Sequence, residues 1–142
     1  MDDFEIARDS TLTVPVKLVN QDTTRGLQFD VSLPPGLRCE ELKLSRYIQR
    51  MKFILNNTIK DSVHNVMIYQ LGSGIIPPGD VAVVEMTLKA DSTFSGGNIT
   101  LRKCRGSTRD NKSIYIDGDT VTVTVPMEPQ GGFFLDAAPT AD

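Results

Sequence analysis

Tryptophan is absent from the 142 residues, histidine occurs once and cysteine twice, and these shortages narrow the chemistry before any pattern is read. A zinc site built on nitrogen and sulfur needs three or four ligands, whereas His64, Cys39 and Cys104 are the whole supply. Neither a metal nor a cofactor is expected. Two cysteines are also too few for a disulfide-dense miniprotein. No run of eighteen apolar residues is present to span a bilayer, and Met1-Asp2-Asp3-Phe4 lacks the basic flank and apolar stretch of a signal peptide. An excess of one charge is missing too. Lys and Arg number 15 against 18 Asp and Glu, for a net charge of -3, so no global field draws the chain to nucleic acid or anionic membrane. What remains is 39% hydrophobic and 23% charged residues, enough for one core in one domain.

Alternation with period two is the clearest positive signal. Leu12, Val14, Val16 and Leu18 alternate with Thr13, Pro15 and Lys17, which predicts a half-buried strand. Pro15 has no N–H for a ladder, so that strand should lie at a sheet edge or carry a bulge. Leu27, Phe29, Val31 and Leu33 repeat the design, with Gln28, Asp30 and Ser32 on the other face, until Pro34-Pro35-Gly36 stops it. Further strands are predicted at 63–71, 81–89, 98–103 and 114–125, separated by Gly- and Pro-rich turns or interrupted by Asp117-Gly118. Short strands between turn signals favour a β-sandwich. Residues 42–55 disagree: Leu44, Tyr47, Ile48, Met51, Ile54 and Leu55 recur at helical spacing opposite Lys43, Arg46, Gln49, Arg50 and Lys52. From Pro126 onward the composition shifts to Pro, Gly, Ala and Asp, which predicts a tail or linker over 127–142 that is either free or docked through Phe133 and Phe134.

No constellation supports catalysis. His64 sits in Val63-His64-Asn65-Val66 without a G-x-S-x-G elbow around any candidate serine. The carboxylate pairs Asp2-Asp3 and Glu40-Glu41 are sequence neighbours, not acids held across a cleft. Asp117-Gly118-Asp119 is too short a ligand series for a calcium loop and reads as a turn. Gly72-Ser73-Gly74 lacks the lysine and spacing of a phosphate loop. The basic run Arg102-Lys103-Cys104-Arg105 reads either as a solvated face or as a contact for an acidic partner, and no stacking aromatics accompany it to suggest nucleic acid. Cys39 and Cys104 are either bonded or two buried thiols; spacing does not decide between them.

Three segments together resemble a known family. They are Leu12 to Asn20 with its Val14-Pro15-Val16 core, Gly26-Leu27-Gln28-Phe29-Asp30-Val31-Ser32-Leu33-Pro34-Pro35-Gly36, and the closing Gly118 to Val125 run; Tyr69-Gln70-Leu71-Gly72-Ser73-Gly74-Ile75-Ile76 adds to them. They are similar to cohesin-type domains, most of all to modules of gut Bacteroidetes surface proteins. The resemblance spans most of 10–126 and consists of structural signatures without a catalytic residue. It implies an all-β fold, a single jelly-roll sandwich of about nine strands over 1–126, and strands with an irregular connection where 42–55 looks helical. It also implies a non-catalytic, extracellular or cell-surface scaffold module. The partner would be a protein, a dockerin-like module, lying across one flat sheet whose candidate contacts are Gln28, Asp30 and Ser32. The alternative is a carbohydrate-binding module of similar fold, for polysaccharide, with Tyr47, Tyr69 and Tyr115 as the stacking platform. Fold analogy alone does not choose between them.

Overall fold

The computed structural model describes residues 2–126, so Phe133 and Phe134, expected either free or docked, lie outside the described residues. Ten strands and one short helix follow in the order β1 (Phe4–Glu5), β2 (Thr11–Asn20), β3 (Thr24–Ser32), β4 (Leu37–Leu44), α1 (Arg46–Arg50), β5 (Ile54–Lys60), β6 (Val63–Tyr69), β7 (Gly79–Ala90), β8 (Gly97–Thr108), β9 (Ser113–Tyr115) and β10 (Asp119–Thr124). Two sheets form a sandwich. The larger has the order β1-β10-β8-β3-β6-β5, with β9 pairing on β8; the smaller is β2-β7-β4. All pairings are antiparallel except β1 with β10.

The alternation read from the sequence places the core. Val14, Val16 and Leu18 of β2 face Leu27, Phe29 and Val31 of β3 across the sandwich, and all six are buried. Central strands bury most: Val83, Val84, Met86 and Leu88 of β7, and Val66 and Ile68 of β6, are at most 1% exposed. Pro15 sits in an edge strand, since β2 pairs with β7 alone in the smaller sheet, and the register shifts between Val16 and Lys17. Both devices expected for a proline without a ladder donor are therefore present.

The helical spacing at 42–55 resolves into three elements. Leu44 ends β4, Ile48 is the buried residue of a helix only five residues long, and Leu55 is the second residue of β5. Ser45 starts that helix, its Oγ accepting from the Ile48 amide at 3.4 Å, as an N-cap residue does. A strand end, one helical turn and a strand start all drop apolar side chains into the same end of the core, and so imitate an amphipathic helix. The other end of the sandwich is closed by Phe94, which is fully buried just after β7. Its carbonyl accepts from Arg8 Nε at 2.8 Å, and the Asp91 amide donates to the Gly36 carbonyl at 2.9 Å. Gly36 needs to be glycine there: its φ is +84°, and a Cβ would stand 2.8 Å from the Phe94 Cα.

Candidate functional site

The alternation that sends Leu27, Phe29 and Val31 inward turns Gln28, Asp30 and Ser32 to the outer face of the larger sheet, where all three are half-buried. β3 lies between β8 and β6, so these side chains stand at the centre of that face. The registers extend them into rows, because directly opposed residues share a face. One row runs Thr58, Asn65, Asp30, Arg102; a second runs Asn56, Met67, Gln28, Arg105, Tyr115; a third runs Lys60, Val63, Ser32, Thr100, Thr120. The Asn65 amide donates to Asp30 Oδ1 at 2.7 Å, and the Asn56 amide donates to the Tyr69 hydroxyl at 3.4 Å. Met67, 40% exposed, is the apolar point of the middle row.

Beside Met67 the face is dented. A groove of about 260 Å³, edged by Gln28, Met67, Tyr69, Arg105 and Ser107, lies over Gly26, where an added Cβ would crowd Ser107 Oγ at 2.9 Å.

The charge on this face differs from that of the chain. Over β8, β3, β6 and β5 the rows carry Lys60, Arg102 and Arg105 against one carboxylate, Asp30, which the Asn65 amide already engages. The β8 register shifts opposite Phe29, at Lys103 and Cys104, with Lys103 at φ +53°. This bulge turns Cys104 toward the core, leaves Lys103 exposed and makes Arg102 and Arg105 successive outward positions. The basic run is thus a strand segment interrupted by a bulge. Arg102 and Arg105 have no ion-pair partner among the described residues, whereas on the smaller sheet Lys43 meets Glu85 at 3.9 Å and Arg38 meets Glu40 at 3.1 Å.

The other candidates do not gather into one site. Tyr47 projects from α1, which packs on β4 and β7 of the smaller sheet. Tyr69 and Tyr115 do lie on the larger sheet, but on β6 and β9 with β3 and β8 between them, roughly 14 Å apart at ordinary strand spacing. The three tyrosines do not share one row. Cys39 and Cys104 are free thiols on strands of opposite sheets. Burial pushes both thiols up; Glu41 adds to this for Cys39 and Asp30 for Cys104. Among the described residues no group of three or more His, Cys, Asp or Glu side chains could hold a metal ion, and no helix is long and apolar enough to cross a membrane.

His64 points into the sandwich from β6, buried, with Asn57 Oδ1 at 3.2 Å from its Nδ1. Desolvation holds its pKa below the usual histidine value. The unfolded chain therefore binds the proton more readily, and stability falls as pH drops below about 6.5 toward the folded-state pKa. We expect thermal melts at pH 7 and pH 5 to differ more for the wild type than for His64→Gln; parallel pH dependences would remove this role for His64.

No family model matches the chain, and no curated protein matches it. Solved structures do. A non-cellulosomal cohesin from the archaeon Archaeoglobus fulgidus superposes with a TM-score of 0.69 at 18% identity, covering 86% of each chain. The seventh ScaB type I cohesin from Pseudobacteroides cellulosolvens gives 0.70 at 17% identity, covering 94% of each. A type I cohesin from Clostridium thermocellum, solved in complex with a dockerin, gives 0.69 at 16% identity over 87% of this chain and 94% of that one. The two-sheet sandwich described above is therefore a cohesin-like domain in its fold.

Proposed function

We propose that this domain is a non-catalytic attachment module that binds a dockerin-bearing protein through the outer face of β8, β3, β6 and β5, as part of an extracellular or cell-surface assembly. The observation that carries the reading is the in-register exposure of Gln28, Asp30 and Ser32 at the centre of an open face made by four adjacent strands. A surface of this kind, polar around one apolar point, suits a protein partner whose few anchors supply most of the affinity. Its similarity to a cohesin solved with a dockerin supports that choice of partner. The separated tyrosines give a sugar ring no continuous platform, which disfavours the polysaccharide alternative.

The test is titration of each dockerin module encoded by the source organism against the wild type and against the Gln28→Ala/Met67→Ala double variant. Binding by at least one dockerin, weakened roughly 30-fold or more in the double variant, is the expected result. Failure of every dockerin to bind, with retention of the domain on a polysaccharide array, would overturn the proposal in favour of sugar binding.

A further inference from the structure

The cations of β8 say what the partner surface must offer, given the attachment reading above, on which this inference rests. We infer that the partner presents an acidic surface, with carboxylates for Arg102 and Arg105 set beside an apolar side chain that enters the groove over Gly26.

Three observations converge on this. Arg102 and Arg105 are exposed and without ion-pair partners among the described residues, on a chain whose net charge is -3. A free pair of guanidiniums on an acidic protein is a local field of opposite sign, and such a field guides association and excludes like-charged partners. The bulge at Lys103 and Cys104 brings the pair into successive outward positions, roughly 7 Å apart along the strand. Side chains one turn apart on a helix stand about 5–6 Å from each other at Cβ. Two carboxylates on one helix face therefore match the spacing, and each guanidinium can take its carboxylate with two parallel N–H donors. Finally, the groove edged by Met67, Tyr69 and Arg105 opens beside Arg105, on the side away from Arg102. A methyl or aliphatic side chain just beyond the carboxylate that meets Arg105 fills it.

Asp30, opposite Arg102, offsets only part of this field, since Lys60, Arg102 and Arg105 outnumber it in the rows. It is the single acid in the four-strand rows, and the Asn65 amide engages its Oδ1. Lys103 adds a further exposed cation at the bulge. On the smaller sheet, by contrast, Lys43 and Arg38 have acidic neighbours.

The experiment uses the same dockerin modules, titrated at 50 and 500 mM NaCl against the wild type, Arg102→Glu/Arg105→Glu and Gln28→Ala/Met67→Ala. The inference expects the bound dockerin to carry acidic residues on its contact surface, its affinity for the wild type to fall about 10-fold with salt, and the charge reversal to cost roughly 100-fold at low salt. Reversing the acids of that dockerin to arginine should restore binding to Arg102→Glu/Arg105→Glu. Binding that the Gln28→Ala/Met67→Ala variant weakens, but that ignores both salt and the charge reversal, overturns the acidic partner and leaves the attachment reading standing. Absence of binding by every dockerin overturns both. Both arginines are exposed, so an unchanged melting temperature in the charge-reversed variant separates lost contact from lost fold.

Discussion

Phe94→Ala is expected to destabilise the domain by about 3–5 kcal/mol, the usual range for removing a buried aromatic ring. Phe94 heads the fully buried side chains by volume and closes one end of the sandwich from a turn rather than from a strand. Its removal leaves a hole that the surroundings are poorly placed to fill. Gly36 presses its backbone against the Phe94 Cα, the Arg8 guanidinium holds the Phe94 carbonyl, and Asp91 accepts from both the amide and the hydroxyl of Thr93 just before it. These contacts fix the turn whether or not the ring is there, so collapse into the cavity is restricted and the cost should lie toward the top of the range. For a domain of this size the loss corresponds to a drop of roughly 10–20 °C in melting temperature. Calorimetry of Phe94→Ala beside Tyr115→Ala measures it, because Tyr115 is 89% exposed and its truncation should change little. A drop of only a few degrees would show that Phe94 is not the plug of this end.

The two ends of the sandwich differ in how far the sequence announces them. Strands β2 and β3 are legible over most of their length, since one buried and one wet face enforce alternation, although Leu12, counted with the apolar face, is 37% exposed, and Pro15 announces an edge or a bulge. The candidate contacts Gln28, Asp30 and Ser32 follow from the same alternation. Their neighbours do not. Met67, Arg102 and Arg105 join them only through the pairing of β3 with β6 and β8, and β8 is more than 60 residues away along the chain. No local spacing encodes which strands will be adjacent, or with which register. The bulge on β8 is hidden for a second reason: its positive-φ residue is a lysine, without the glycine or asparagine that usually marks such a conformation. Strand β1 is too short to show any period. Over 42–55 the signal for one long helix misleads for a geometric reason, since Leu44, Ile48 and Leu55 reach one core region from three different elements.

Gly118→Val is expected to damage both the fold and the proposed binding face, because Gly118 stands where β10 begins its run along β8. A Cβ at this position would overlap the Leu101 carbonyl oxygen, with the Arg102 Cα 3.7 Å away. Both neighbours are backbone, so no side chain can swing aside to relieve the clash. Either the turn moves away and the pairing of Asp119 with Leu101 is lost, or β8 itself shifts. Overpacking of this kind costs about 1–3 kcal/mol, and the rigid neighbours favour the upper figure. The Gly72→Ala change is the fitting comparison, since the nearest atom there is the flexible tip of Gln70 at 3.8 Å and little loss is expected. Beyond stability, a displaced β8 carries Arg102 with it, so amide chemical shifts at Leu101 and Arg102 should move while those of β2 and β7 stay. Binding to an acidic partner should weaken in step. The turn read from Asp117-Gly118 then has a second task besides reversing the chain: its missing side chain lets β10 lie close enough to hold the strand that presents the arginines. A Gly118→Val protein with unchanged melting temperature and unmoved Arg102 would break that link between the turn and the site.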